Sequence, residues 1–353
     1  MHASQGLFDN IFLPKYHCQV RNGVYLPYIK PAEADSVLVN CTNPLGTNIV
    51  TCRDQRIQSF LNEVDGLALN VSPSHTIHLH DRYIPIFDYR TIDLAYEVSS
   101  NIVGLTLVDI LAIPPKIVAG HYTIKRIAFR DAAAIRRLCL HKKVVLFLTG
   151  RDVLIETIWH QRSSCELFQQ LSLMGFWAVT GFNFSVFGGE CPVAQHLNQK
   201  KSLISSMLIE ENGLFTIPHV YAVNDFHITK YREWLKCNPH IHLLTMNCQM
   251  QRNTTDIEQI VRAVKALLIV NEELHIILQG FRFSEIHRLD GFLDRIHIAE
   301  SKAVKYGQVF KSVDPTFITQ PQQYAKNAYM DLVVKNVEFR NHRLQKILKG
   351  EFW

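Results

Sequence analysis

Asp225 stands in Tyr221-Ala-Val-Asn-Asp-Phe-His, directly after an apolar, strand-like run, and is the first side chain to weigh for chemistry. A carboxylate at a strand end can have its pKa raised by burial or be held ionised by a neighbour such as Arg252. Either state suits acid, base or nucleophilic work. The same residue type before a helix also caps orphan amide donors, so Asp225 has a structural reading beside the catalytic one. Asp152, in Gly150-Arg151-Asp152, and Glu190, in Gly188-Gly189-Glu190, are further strand-end carboxylates. Paired with Asp225, either would make a glycosidase-type acid and nucleophile, although Asp152 reads equally as a helix start.

Asn183, Asn224, Asn247, Gln251 and Gln279, with Arg252 and Arg282, also follow strand-like runs. Amides present a donor beside an acceptor and Arg presents a planar fork, which suits a base edge or a phosphate. These residues serve loop-fixing hydrogen bonds equally well. In Ser74-His-Thr-Ile-His-Leu-His-Asp, strand alternation would put His78 and His80 on one face, as two ligands of one divalent ion. His219, His227 and Asp225 are the available further ligands. With 17 histidines in the chain, a hydrogen-bonded strand face is the plainer reading. A divalent metal is the single cofactor the sequence allows for. Cys191 and His196 can be drawn as thiol and base, but Pro192 beside Cys191 fits the opening of a helix.

The elements that must position these groups show best from Val144 onward. Strand-like runs at 144–148, 177–181, 215–221, 241–246 and 274–279 are followed by 295–299 or 306–310. They alternate with amphipathic stretches at 153–174, 194–209, 228–235, 256–270 and 284–293. Earlier strand candidates are 36–40, 76–80 and 105–110, with helices at 54–64 and 130–140. About eight strands alternating with helices predict a (β/α)8 TIM-barrel-like α/β fold over residues 1–320, with a basic helical stretch beyond 321. In a barrel the active face is built at strand C-termini, so the strand-end polar residues converge on one mouth. No strand-like run leads into a glycine-rich nucleotide loop.

The chain has 353 residues, 47% hydrophobic and 20% charged, which excludes disorder as the main state. Its eight cysteines form no Cys-x-x-Cys pair and read as reduced core residues. The most apolar stretch, 102–120, holds Asp109, Pro114, Pro115 and Lys116 and is no membrane span, and residues 1–10 lack a leader pattern. The sequence therefore predicts a cytoplasmic chain without a membrane partner.

The net charge of +5 sits in two places. Residues 301–353 carry nine basic and four acidic residues, which accounts for the whole excess. A second segment, 116–143, has eight basic residues and Asp131 alone against them. Lys125, Arg126, Arg130, Arg136 and Arg137 in 116–143, and Arg340, Arg343 and Lys346 in 301–353, are candidate phosphate contacts for a nucleic acid. Phe339 and Phe352-Trp353 nearby suit base stacking. A solvated cationic helix face is the alternative.

Phe184-Ser-Val-Phe, Pro192-Val-Ala-Gln-His-Leu-Asn, Gly213-Leu-Phe-Thr-Ile-Pro-His-Val and Asn224-Asp225 together resemble an uncharacterised barrel-like family of phages, plasmids and other mobile elements. The resemblance covers 181–226. It implies a barrel and a mobile-element or defence setting, and supplies no reaction. Two functions follow as expectations. One is a nucleic-acid- or nucleotide-directed barrel with glycosyl-bond or hydrolytic chemistry at its mouth; the other is a non-enzymatic scaffold or nucleic-acid-binding component of a protein complex.

Overall fold

The computed structural model describes residues 64–66, 68–74, 77–112, 128–162, 166–186, 192–249, 253–314 and 328–351. Eight parallel strands run in the order β5-β4-β3-β2-β1-β8-β7-β6. They are β1 Tyr83–Phe87, β2 Ile102–Thr106, β3 Lys143–Phe147, β4 Ala178–Thr180, β5 Thr216–Ile217, β6 Leu243–Asn247, β7 His275–Gln279 and β8 Ile296–Glu300. The two ends of this sheet meet. Thr245 N donates to the Pro218 carbonyl and Val220 N to the Thr245 carbonyl, both at 2.9 Å, so a bridge between His219 and Thr245 closes the ring. The fold is the expected (β/α)8 barrel.

Alternation along the strands separates two apolar layers. Ile84, Ile86, Ile102, Val145, Phe147, Ala178, Ile217, Leu243, Ile277 and Ala299 form the inner cluster. Their strand neighbours, including Val103, Val144, Leu146, Val179, Leu244, Ile276, Leu278 and Ile298, join the larger cluster beneath the helices. Gly104 keeps the inner layer closed: a Cβ there would lie 2.8 Å from the Phe147 ring and 2.9 Å from Ile86 Cγ1. The barrel is therefore packed rather than hollow.

The helices are α1 Ala132–His141, α2 Asp152–His160, α3 Leu167–Ser172, α4 Pro192–Glu211, α5 Asp225–Cys237, α6 Thr254–Leu268, α7 Lys302–Gln308 and α8 Ala328–Leu348. In α6, Ile257, Ile260, Val264 and Leu267 bury one stripe, and Asn253 caps the first turn by accepting from Asp256 N at 2.8 Å. The basic helix α8 belongs to the same core through Val333, Val337, Leu344 and Ile347.

Several boundaries differ from expectation. The apolar run 105–110 divides into the end of β2 and a single α-turn, Leu107–Ile110, since a short apolar run alone does not decide between strand and helix. The stretch 153–174 makes two helices, α2 and α3. Residues 284–293 are replaced by a 3₁₀ segment, Phe283–Leu289, and 306–310 falls mainly in α7. The run 77–80 forms no strand, although its alternation is real: Ile77 and Leu79 are buried in the inner cluster while His78 and His80 stay exposed. This segment plugs the N-terminal end of the barrel. The strand candidate 36–40 lies outside the described residues.

Candidate functional site

The C-terminal end of the barrel gathers polar groups from every strand. After β1, Asp88 Oδ1 accepts from Thr91 N at 3.1 Å and Thr91 Oγ1 at 2.9 Å, and its Oδ2 accepts from Gln308 Nε2 at 2.8 Å. After β2, Thr106 Oγ1 donates to Asp109 Oδ2 at 2.5 Å. Burial raises the Asp109 pKa, and the Asp88 charge adds to that; the Thr106 bond, Lys305 and Arg130 pull the other way. Gln279, fully buried at the end of β7, donates from Nε2 to Thr149 Oγ1 after β3 at 3.3 Å. Asn247, at the end of β6, accepts at Oδ1 from Gln249 N at 3.0 Å, and its own N donates to His219 Nε2 at 3.3 Å. The His219 imidazole is buried and its pKa falls to about 3, so it serves there as a neutral acceptor.

Asp152 is the first residue of α2 and accepts at Oδ1 from Ser185 Oγ at 2.5 Å, tying the β3 and β4 loops together. Asn183, half-buried, lies beside them, its N bonded to the Leu148 carbonyl at 3.1 Å. Asp225 is placed differently from the mouth carboxylate of the catalytic reading. Its side chain is 72% exposed and pairs with Arg262 of α6 at 3.2 Å. The cap is Asn224, whose Oδ1 accepts from His227 N at 2.9 Å. The outward turn of the first helical residue explains the exchange, because the N-cap side chain folds back over the amides while the next one points away. Glu190, Cys191, Gln251 and Arg252 lie outside the described residues.

The histidine pattern sits at the opposite end of the barrel. His78 faces His242 with ring centroids 5.4 Å apart. His297 Nδ1 donates to the Asp81 carbonyl at 2.7 Å, and its Nε2 lies 3.0 Å from His275 Nδ1. His227 packs instead against His196 beneath α4 and α5, centroids 4.9 Å apart. Among the described residues, no group of three or more His, Cys, Asp or Glu side chains is placed to hold a metal ion. The plug carries His78 and His80 at the far end from His219, and that separates the expected ligands.

A cavity of about 520 Å³ opens over the loops that follow β7 and β8. Gly280, Arg282, Phe283 and Ser284 come from the first loop; Glu300, Ser301, Lys302, Lys305 and Tyr306 come from β8 and α7. The third side is α8, through Arg340 and Arg343, with Gln249 completing the wall. Gly280 has φ +78°, and a Cβ on it would lie 2.5 Å from Gln249 Cγ, so only glycine makes this turn here. Of the cations, Arg340 is buried and bound twice to Glu300, Nε to Oε1 at 2.6 Å and Nη2 to Oε2 at 2.8 Å. Its guanidinium also lies 3.5 Å from the Phe283 ring centroid. Arg282, Lys302 and Lys305 are exposed and Arg343 is half-buried. Among the described residues, five cationic side chains thus face one carboxylate, and that carboxylate is neutralised by Arg340.

This corrects the reading of Arg340 as a phosphate contact: it is buried and bound to Glu300, while Arg343 lines the cavity, because α8 packs its basic stripe toward the β8 loop. Lys346 is half-buried further along the helix. In the basic segment 116–143, Arg130 lies 4.5 Å from the Tyr89 ring centroid and donates through Nε to the Leu111 carbonyl at 2.8 Å. Arg136 and Arg137 are exposed on α1, while Lys125 and Arg126 lie outside the described residues. Sequence reasoning passed over Asp109, Lys302 and Lys305. The signal available for Lys302 and Lys305 was their position just after the last barrel strand.

No protein-family model and no curated protein matches the chain. Among solved structures it is similar to a psychrophilic glycoside hydrolase family 10 endo-beta-1,4-xylanase, at 11% identity over 62% of this chain and 85% of that chain, with a TM-score of 0.32.

Proposed function

We propose that the protein is a nucleotide- or nucleic-acid-directed barrel enzyme, which holds a phosphate of its substrate over the β7 and β8 loops and carries out a glycosyl-bond or hydrolytic step at the adjoining mouth. The observation that carries this reading is the cavity lined, among the described residues, by five cations and one neutralised carboxylate. Loops after the seventh and eighth strands are a frequent phosphate site in barrels of this kind, and clustered Arg and Lys supply what a phosphate requires. Asp109 supports the chemical part. A half-buried carboxyl whose pKa is raised retains a proton closer to neutrality than an exposed one, which suits a general acid or base. Lys305 links the two features, since it lines the cavity and acts on Asp109. The mobile-element or defence setting is carried by the sequence resemblance alone.

The test is equilibrium binding of single-stranded oligonucleotides and mononucleotides to the full chain over a salt series, with mass spectrometry of the bound nucleotide for released base or phosphate. Affinity should fall as salt rises, by about 0.7 log units per log unit of salt for each phosphate held on a single strand. Asp109→Asn should slow release roughly 100-fold or more while leaving affinity near that of the parent. Absence of binding at low salt would remove the reading.

A further inference from the structure

The cavity over the β7 and β8 loops is about 520 Å³, the size of a small-molecule site rather than of a groove that tracks a strand. Its deep side is fixed. Glu300 takes both Arg340 bonds and accepts from Tyr83 Oη at 3.2 Å, so this pair is neutral and its guanidinium is immobilised on Phe283. Among the described residues, the other charged side chains of the lining are Arg282, Lys302, Lys305 and Arg343. A phosphodiester brings a single negative charge to such a site, whereas a monoester brings about −1.5 to −2 at neutral pH and three acceptor oxygens. The entrance offers a different chemistry. Tyr306 is 37% exposed, with Lys302 Nζ over its ring 5.2 Å from the centroid, and a part-exposed aromatic ring with a cation against it is a platform for a nucleobase.

Resting on the reading above, we infer that this cavity takes a single nucleotide through its terminal phosphate monoester, with the base against Tyr306. A free mononucleotide and a 5′-phosphorylated strand end share that chemistry. Calorimetry with the full chain separates them, using AMP, adenosine, 3′,5′-cyclic AMP, inorganic phosphate, and a short oligoadenylate with and without a 5′-phosphate.

AMP should bind about tenfold or more tightly than adenosine, cyclic AMP and inorganic phosphate, because charged hydrogen bonds and the base contact are both needed. A similar preference for the phosphorylated oligonucleotide over its hydroxyl twin would identify strand ends; binding of AMP alone would identify the free nucleotide. The exposed pair Lys302→Glu/Lys305→Glu should abolish the preference for the monoester. Lys236→Glu, an exposed charge reversal on α5, should leave it intact. Salt-sensitive but equal binding of phosphorylated and hydroxyl strands would overturn the monoester site while leaving the nucleic-acid reading standing. Unchanged AMP affinity in Lys302→Glu/Lys305→Glu, or phosphate binding as tightly as AMP, would also overturn the site. No binding of any probe would overturn both.

Discussion

Lys201 holds its ammonium 2.7 Å from Glu156 Oε2 with 1% of the side chain exposed, joining α4 to α2. The ammonium also lies 4.7 Å from the Phe184 ring centroid and 5.7 Å from that of Trp159. Taking two ions out of water costs about as much as their attraction returns, so the pair contributes little net stability, but removing one partner strands the other. Lys201→Met should therefore lower unfolding stability by about 3–5 kcal/mol, and the double change Lys201→Met/Glu156→Leu should recover most of it. Urea midpoints for the parent, Lys201→Met, Glu156→Leu and the double variant give the answer, and a single variant as stable as the double one would contradict it. The site was partly legible at this scale. Strand-end residues such as Asn247 and Gln279 were found because strand ends are visible as the limits of apolar runs. The place of Asp225 was not: sequence sets it after a strand but does not show that the first helical side chain turns to Arg262. Asp109 was passed over because Leu107–Ile110 continues the apolar run of β2, and burial, which gives it chemical interest, is a tertiary property.

At the level of elements, α7 and α8 form the outer wall of the cationic cavity, and Gly307 sets their distance. A Cβ there would lie 2.7 Å from Val333 Cα and 2.8 Å from Val333 N, and backbone atoms do not move aside as a flexible side-chain end does. Gly307→Ala would gain up to about 1 kcal/mol in helix propensity and lose roughly 1–3 kcal/mol to overpacking. The expected result is a destabilised protein with weaker anion binding, because separating the helices moves Lys302 and Lys305 away from Arg340 and Arg343. Thermal unfolding and the AMP titration read both effects; a more stable variant would show that the helices separate at no cost. Strand and helix order from β3 to β8 was legible since each buried strand is a short apolar run between amphipathic stretches. The beginning was not. Tyr83–Phe87 carries Pro85, which argues against a strand in sequence, yet it pairs with β2 and β8. The alternation at 77–80 has the period of a strand because a barrel plug also buries every second side chain.

Over the whole molecule, buried neutral histidines set the response to acid. Desolvation lowers the pKa of His196 to about 4 and of His219 and His297 to about 3, and burial lowers His227 further. Each is held by structure rather than by charge: His196 Nδ1 lies 3.1 Å from Gln199 Oε1, His219 accepts from Asn247, and His297 donates to Asp81. In the unfolded chain each titrates near 6.5, so below that pH the unfolded state binds protons that the folded state refuses. Their contribution to stability is therefore complete above about pH 6.5 and is lost progressively as pH falls toward the folded values. Asp109 works in the opposite direction, since its folded pKa is raised, but among the described residues it stands against these four and His275, whose pKa burial also lowers. Stability should decline by about 1 kcal/mol per pH unit for each histidine on the steep part of the curve. The urea midpoint should fall clearly from pH 7.5 to pH 5. His297→Gln, which keeps a donor for the Asp81 carbonyl without a titrating ring, should lower stability at pH 7.5 yet flatten the decline. A midpoint unchanged between those pH values, or a variant curve parallel to the parent, would show that the histidines at the barrel's two ends admit protons without opening it.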